Sequence, residues 1–227
     1  MVYYFTAKVT SKDDELADFA IDDSQADEAT IYMGRDKVEN DPLIKHSHPK
    51  NIWFHVDKLS SAHIYLQLTK DQIKNFKSFE SFQIDEELLN QLGQLTKANS
   101  IKGNKLNNVS IIYTPVENLH TDGSMDIGTV TFKNNKLVKR FNVVKKENAI
   151  INKLNKTKKE IPTDEFIVKQ DELIKEIANE RKQEEREAKE LSKQYEYQKK
   201  QNADPYADLF ASESTSKPTN WSEDSFW

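Results

Sequence analysis

Apolar side chains are spread unevenly along this chain: they concentrate in residues 30–68 and 84–154, whereas 8–29 and 178–227 are mostly polar. A hydrophobic core can form only where its material lies, so the folded body is expected in the middle of the 227 residues, joined by short elements from either side. With 36% apolar and 31% charged residues, a core running the full length would be starved of material. One domain with appendages is therefore favoured over two.

The same middle segment differs in charge. Residues 1–29 carry a net −6, residues 30–160 a net +7, and residues 161–227 a net −6. A basic centre between acidic ends suits a polyanion-binding core whose flanks limit promiscuous contact. No run approaches the roughly 20 apolar residues of a bilayer-spanning helix. The opening MVYYFTAKVT lacks the basic-then-apolar order of a secretory signal. Cysteine is absent, which removes disulfides and thiolate metal sites and fits a reducing compartment. The cytoplasm is the expected location, and no metal or cofactor is expected.

Val2–Val9 alternates and is aromatic-rich, which predicts a strand. Residues 10–29 then break every pattern and read as an acidic insertion, with a short helix around Glu15–Ala20 as the alternative. Thr30–Met33 predicts a strand closed by Gly34. Asp36 as N-cap with Glu39 three residues on predicts a helix over 36–46, shortened or kinked by Pro42. Residues 51–56 and 62–68 read as buried strands joined by the turn 58–61, and 69–82 as loop. Leu88, Leu89, Leu92 and Leu95 repeat at helical spacing, predicting a helix over 84–101 that Gly103 ends.

Strands are predicted at 109–113, 127–132 and 137–144, the last two paired through a hairpin turn at 133–136. Helix follows from Lys145, is interrupted at Pro162, and resumes over 164–200. There the apolar stripe fades beyond Ile177, so a solvated single helix fits better than a sustained coiled coil. Past Pro205, aromatic residues such as Tyr206, Phe210, Trp221 and Trp227 stand among acidic and hydroxyl side chains, the pattern of a disordered tail that docks onto a partner or merely solvates. The expected fold is α+β: a mostly antiparallel sheet with the 84–101 helix on one face, a long charged C-terminal helix and a disordered tail. The expected boundaries are 1–160 for the domain, 161–201 for the extended helix and 202–227 for the tail.

Two patches could carry chemistry. In Asn51–His63, a patch that includes Trp53, strand alternation puts His55 and Asp57 on one face, and His63 could pair near them across the turn that holds Lys58 and Ser61. Such a cluster could bind a metal, act as general acid and base, recognise a phosphate and sugar, or satisfy a partly buried edge. A structural or RNA-contact role is favoured over catalysis, because no nucleophile or phosphate-loop motif accompanies it. His46 and His48 read as a chance pair in a surface turn.

The second patch puts Lys97, Asn99, Lys102, Lys105, Asn107 and Asn108 at a helix end and its exit loop, where ammonium and amide groups suit phosphates and ribose hydroxyls. Arg35, Lys37, Lys45, Lys50 and Lys58 would enlarge this basic surface if the fold gathers them.

The runs IYMGRDKVENDPLIK (31–45), NIWFHVDKLSSAHIYLQL (51–68), KANSIKGNKLNNVSIIYTP (97–115) and MDIGTVTF (125–132) resemble the NFACT-R (NFACT RNA-binding) domain family, and within it the small single-domain branch. The resemblance implies RNA binding by an α/β domain, with tRNA or ribosomal RNA as the expected ligand and ribosome-associated quality control as the expected setting, and it puts Trp53, His55, Asp57, Ser61 and His63 in one motif and Lys97, Asn99, Lys102, Asn107 and Asn108 in another. Synthesis of C-terminal tails is not implied, because the portion that recruits tRNA for it has no counterpart here. Two alternatives stand beside RNA binding. One is hydrolysis of a peptidyl-tRNA ester by His55, Asp57 and His63; the other is a scaffold in which the C-terminal helix and tail bind protein. DNA in place of RNA stays open, since phosphate contacts carry no sugar identity.

Overall fold

The computed structural model describes residues 1–9, 27–122, 125–126 and 128–203. In chain order the elements are β1 (Val2–Val9), β2 (Asp27–Gly34), α1 (Asn40–His46), β3 (Ile52–Val56), β4 (Ile64–Gln67), α2 (Lys70–Asn75), α3 (Glu86–Ala98), β5 (Val109–Pro115), β6 (Leu119–His120), β7 (Thr131–Phe132), β8 (Lys139–Val143), α4 (Asn148–Lys156), β9 (Lys159–Ile161) and α5 (Thr163–Ala203). Seven strands form one sheet in the order β8-β5-β3-β4-β2-β1-β9, and every pairing is antiparallel. β6 and β7 make a separate two-stranded ribbon. The α+β expectation is met.

Alternation assigns the two faces. Ile52, Phe54 and Val56 of β3 point to the face covered by α3. Gly93 of α3 lets that helix close on β8, for a Cβ there would lie 2.6 Å from the Phe141 ring and 2.7 Å from a Val143 methyl. On the opposite face Tyr4, Tyr32, Tyr65 and Trp53 lie side by side across β1, β2, β4 and β3. Tyr32 and Tyr65 stack at 4.9 Å. Leu43 of α1 and Phe166 from the start of α5, both fully buried, belong to this cluster. Burial of these large side chains on both faces is the main stabilising contribution.

The first compact unit runs from Met1 to Lys175, so it includes the opening turns of α5. The second begins at Glu176; its described part is helix with i,i+4 pairs such as Arg181–Glu185 at 3.1 Å. The tail beyond 203, most of the acidic insertion and Ile127 lie outside the described residues.

Several local expectations are corrected. Residues 27–29 belong to β2, paired with Ala7–Val9, rather than to the insertion. The Asp36/Glu39 pairing exists, with Val38 N–H donating to Asp36 at 2.9 Å and Asp36 N–H to Glu39 at 3.1 Å. It closes a turn ahead of α1, whose N-cap is Glu39. Pro42 then falls in the first helical turn, where its missing N–H costs nothing. The 69–82 loop contains α2, held by a capping box between Thr69 and Gln72.

The 133–136 hairpin does not form: β8 pairs with β5, and β7 with β6. Asn118 is the cause. Its side chain donates to the Asn134 carbonyl at 2.9 Å and accepts from Asn134 N–H at 2.8 Å, turning the chain aside. Finally β9, unforeseen, adds to the β1 edge after α4.

Candidate nucleic-acid interface

The C-terminal turn of α3 organises three loops at one end of the sheet. Gln94, 1% exposed, donates to the Lys145 carbonyl at 2.8 Å and accepts from Glu147 N–H at 2.9 Å, fixing the exit of β8. Lys97, also 1% exposed, sends its ammonium to the Leu106 carbonyl inside the 99–108 loop. Burial pushes the Lys97 pKa down. Ser100 donates to the Ser60 carbonyl at 2.6 Å, and Ala62 N–H to the Asn99 carbonyl at 3.1 Å, so the β3–β4 turn docks on the same helix end. The two sequence patches, 40 residues apart, thus meet at one helix end.

Exposed on these loops stand Lys58, Lys102, Lys105, Lys145 and Lys146, with Asn107 and Asn108 beside them. Asn108 N–H reaches the Val144 carbonyl at 2.8 Å, tying the second loop to the third. Among the described residues, the non-glycine positions with left-handed backbone are Lys58 (φ 59°) and Asn108 (φ 55°), one in each of two of these loops. Left-handed backbone costs a lysine about 1 kcal/mol and is less costly for asparagine. Arg140 of β8 extends the surface and pairs with Asp57 at 3.5 Å. Register carries Arg35 and Lys37, which follow Gly34, to this end too, because Met33 pairs with Ile64 at the start of β4.

The opposite end of the sheet carries charges of both signs, with Lys139 donating to the Phe82 carbonyl at 2.9 Å. A cavity of about 290 Å³ opens there between Val9, Leu66 and Leu88, with Glu28 and Asp85 and no lysine or arginine in its lining.

The aromatic–histidine cluster lies just inside the cationic end. Trp53 and His55 stack at 5.3 Å, and His63 meets both edge-on, at 5.2 and 5.3 Å. His55 donates from Nδ1 to the Val56 carbonyl at 2.7 Å. Burial lowers its pKa, partly offset by the Val56 and Ser61 backbone carbonyls. His63, 4% exposed, is depressed to about 3 by burial and then by His55. Two buried atoms here, Trp53 Nε1 and His63 Nδ1, have no hydrogen-bond partner among the described residues.

Expectation and placement differ for several residues. Trp53 is 1% exposed with its ring covered by His55, so it packs rather than presenting a face to ligand. Lys97 is internal and supports the loop rather than touching phosphate. Asn99 spends its amide on the Leu95 carbonyl at 2.9 Å, and Ser61 accepts from Val56 N–H at 3.1 Å, closing its own turn. Lys50 lies away from the site, donating to the Ile73 carbonyl at 2.8 Å. His46 pairs with Asp171 at 3.2 Å, and His48 is buried, so neither is a bare surface residue.

Among the described residues no hydrogen bond joins Asp57 to either imidazole, the link a hydrolytic His–Asp pair would need. Nor does any group of three or more His, Asp or Glu there have metal-binding geometry. Sequence reading missed Gln94, Arg140, Lys145 and Lys146. The KK pair at the end of a strand was the available signal, while Gln94 gave none.

Comparison with known proteins shows the family. The family described as NFACT protein RNA binding domain matches residues 1–134. The chain is 46% identical over 160 residues to Coiled-coil domain-containing protein 25 of Danio rerio, covering 70% of this chain and 67% of that protein. Its Bos taurus counterpart is 44% identical over the same shares. Protein JLP2 of Saccharomyces cerevisiae is 38% identical over 133 residues, 58% of this chain and 61% of that one. No helix among the described residues is long and apolar enough to cross a membrane. This chain belongs to the NFACT protein RNA binding domain family.

Proposed function

We propose that this chain binds tRNA or ribosomal RNA through the cationic end of its sheet, in the cytoplasm, as part of ribosome-associated translation quality control. The observation that carries the reading is the docking of the 57–63 and 99–108 loops on one helix end, through Ser100–Ser60 at 2.6 Å, which gathers Lys58, Lys102 and Lys105. Phosphate contacts by such lysines position a nucleic acid and supply affinity without base identity. Family membership favours RNA as the ligand. The test is direct binding of deacylated tRNA and co-sedimentation with ribosomes. Reversal of charge in K102E/K105E is expected to weaken tRNA binding at least tenfold and to release the chain from ribosomes. Unchanged binding by that variant would refute the assignment.

A protein-docking role for α5 has one observation in its favour: Leu191 and Tyr195 are each 68% exposed on a helix otherwise rich in charge. Truncation after Pro162 removes the buried Phe166 as well, so truncation after Lys175 is the cleaner test. Ribosome association that survives it places the principal contact in the domain.

A further inference from the structure

Large aliphatic side chains interrupt the lysines of the cationic end. Ile101 is 81% exposed, Val144 60% and Leu106 50%. The first and last flank a single tight loop, closed by Asn104 N–H to Ser100 at 3.0 Å and Leu106 N–H to Gly103 at 3.2 Å. Val144 joins them through its carbonyl, which accepts from Asn108 N–H at 2.8 Å. Lys102 and Lys105 stand between Ile101 and Leu106, and Lys145 and Lys146 follow Val144. Scattered exposed aliphatics are ordinary on protein surfaces. Three on hydrogen-bonded neighbouring loops, each with lysines next to it in the chain, offer surface that suits a ligand both anionic and apolar.

Duplex RNA meets only half of that demand. Its bases are stacked inside, its major groove is too deep and narrow for side chains, and it offers outward mainly phosphate and ribose. RNA with unstacked bases meets both, presenting phosphates to ammonium groups and flat apolar base faces to aliphatic side chains. We infer that the ligand of this end is RNA with unstacked bases, as in a single-stranded run, loop or terminus, whose base faces cover Ile101, Leu106 and Val144. This deepens the RNA-binding reading and rests on it. Because the covering groups are aliphatic and Trp53 is internal, contact with the bases is by packing, with little preference among them.

The test compares a short single-stranded RNA with a blunt duplex at equal salt, using the full chain and fluorescence anisotropy. Wild type is expected to favour the single strand roughly tenfold. The variant I101S/L106S is expected to lose roughly tenfold on the single strand and nothing on the duplex, whereas K102A/K105A weakens both. Both serine substitutions lie at exposed positions, and an unchanged melting temperature verifies the fold. Equal affinity for duplex and single strand, or an I101S/L106S variant that binds the single strand like wild type, overturns the inference and leaves the RNA reading intact. Loss by I101S/L106S of binding to anionic lipid vesicles, with RNA affinity unmoved, overturns it in favour of a membrane surface. Failure of wild type to bind either RNA refutes the broader proposal instead.

Discussion

Ser100 donates its hydroxyl to the Ser60 carbonyl at 2.6 Å and accepts from Gly103 N–H at 3.0 Å, so one small side chain ties the β3–β4 turn to the lysine loop. Serine to alanine here removes both links. The S100A variant should lose about 1–3 kcal/mol in urea unfolding, since two partners in a largely buried place are left unpaired. RNA affinity should fall with it under conditions where the variant stays folded, because the two cationic loops are then held together less firmly, by the Ala62–Asn99 backbone bond at 3.1 Å.

Lys58 carries a different tension, a left-handed backbone at φ 59° on a residue with a Cβ. K58G relieves it and is expected to leave stability unchanged or raise it by up to about 1 kcal/mol. RNA binding should nevertheless weaken, since a phosphate-facing ammonium is lost. Equilibrium unfolding and binding on the same preparation check the pair of outcomes. A gain in both would mean that Lys58 has no part in the site.

Trp53 separates packing from contact. W53F keeps an aromatic body in the core and should leave RNA affinity within about twofold, whereas W53A should cost roughly 3–5 kcal/mol of stability. A large loss of affinity in a folded W53F would return the indole to the list of ligand contacts.

Acid should destabilise the domain through buried neutral histidines. Burial depresses His63 to about 3 and, with help from Lys50, His48 to about 4, both below the unfolded value of 6.5. The unfolded chain therefore binds more protons than the native one between those values. Stability is full above pH 6.5 and falls as pH drops toward 4, by on the order of 1.4 kcal/mol per pH unit for each histidine. Thermal melts from pH 7.5 to 4.5 should show this decline, and H48Q/H63Q should flatten it if folded.

Much of the sheet was legible because alternation is a local signal. The strands predicted at 51–56 and 62–68 form as β3 and β4, and Leu88, Leu92 and Leu95 of α3 repeat as a packed stripe does. The failures have physical causes. The 133–136 segment had the composition of a hairpin turn, but the Asn118 amide captured Asn134 from 16 residues away. The Thr69/Gln72 capping box is legible in the sequence, but α2 is only 6 residues long, too short for its apolar residues to show a helical repeat. Convergence of the two motifs was not readable at all, since Ser100 and Ser60 meet only through the fold of α3 on the sheet. For the same reason buried Lys97 and Trp53 could not be told from exposed neighbours of the same motif.

The account depends on lysines of the gathered loops contacting phosphates. The most direct measurement is the dependence of RNA affinity on salt for wild type and for K58A/K102A/K105A. Each phosphate contact contributes about 0.7 to the slope of log affinity against log salt on single strands. The triple variant should therefore bind more weakly with a slope shallower by about 2. A triple variant with wild-type affinity and an unchanged slope would contradict the account.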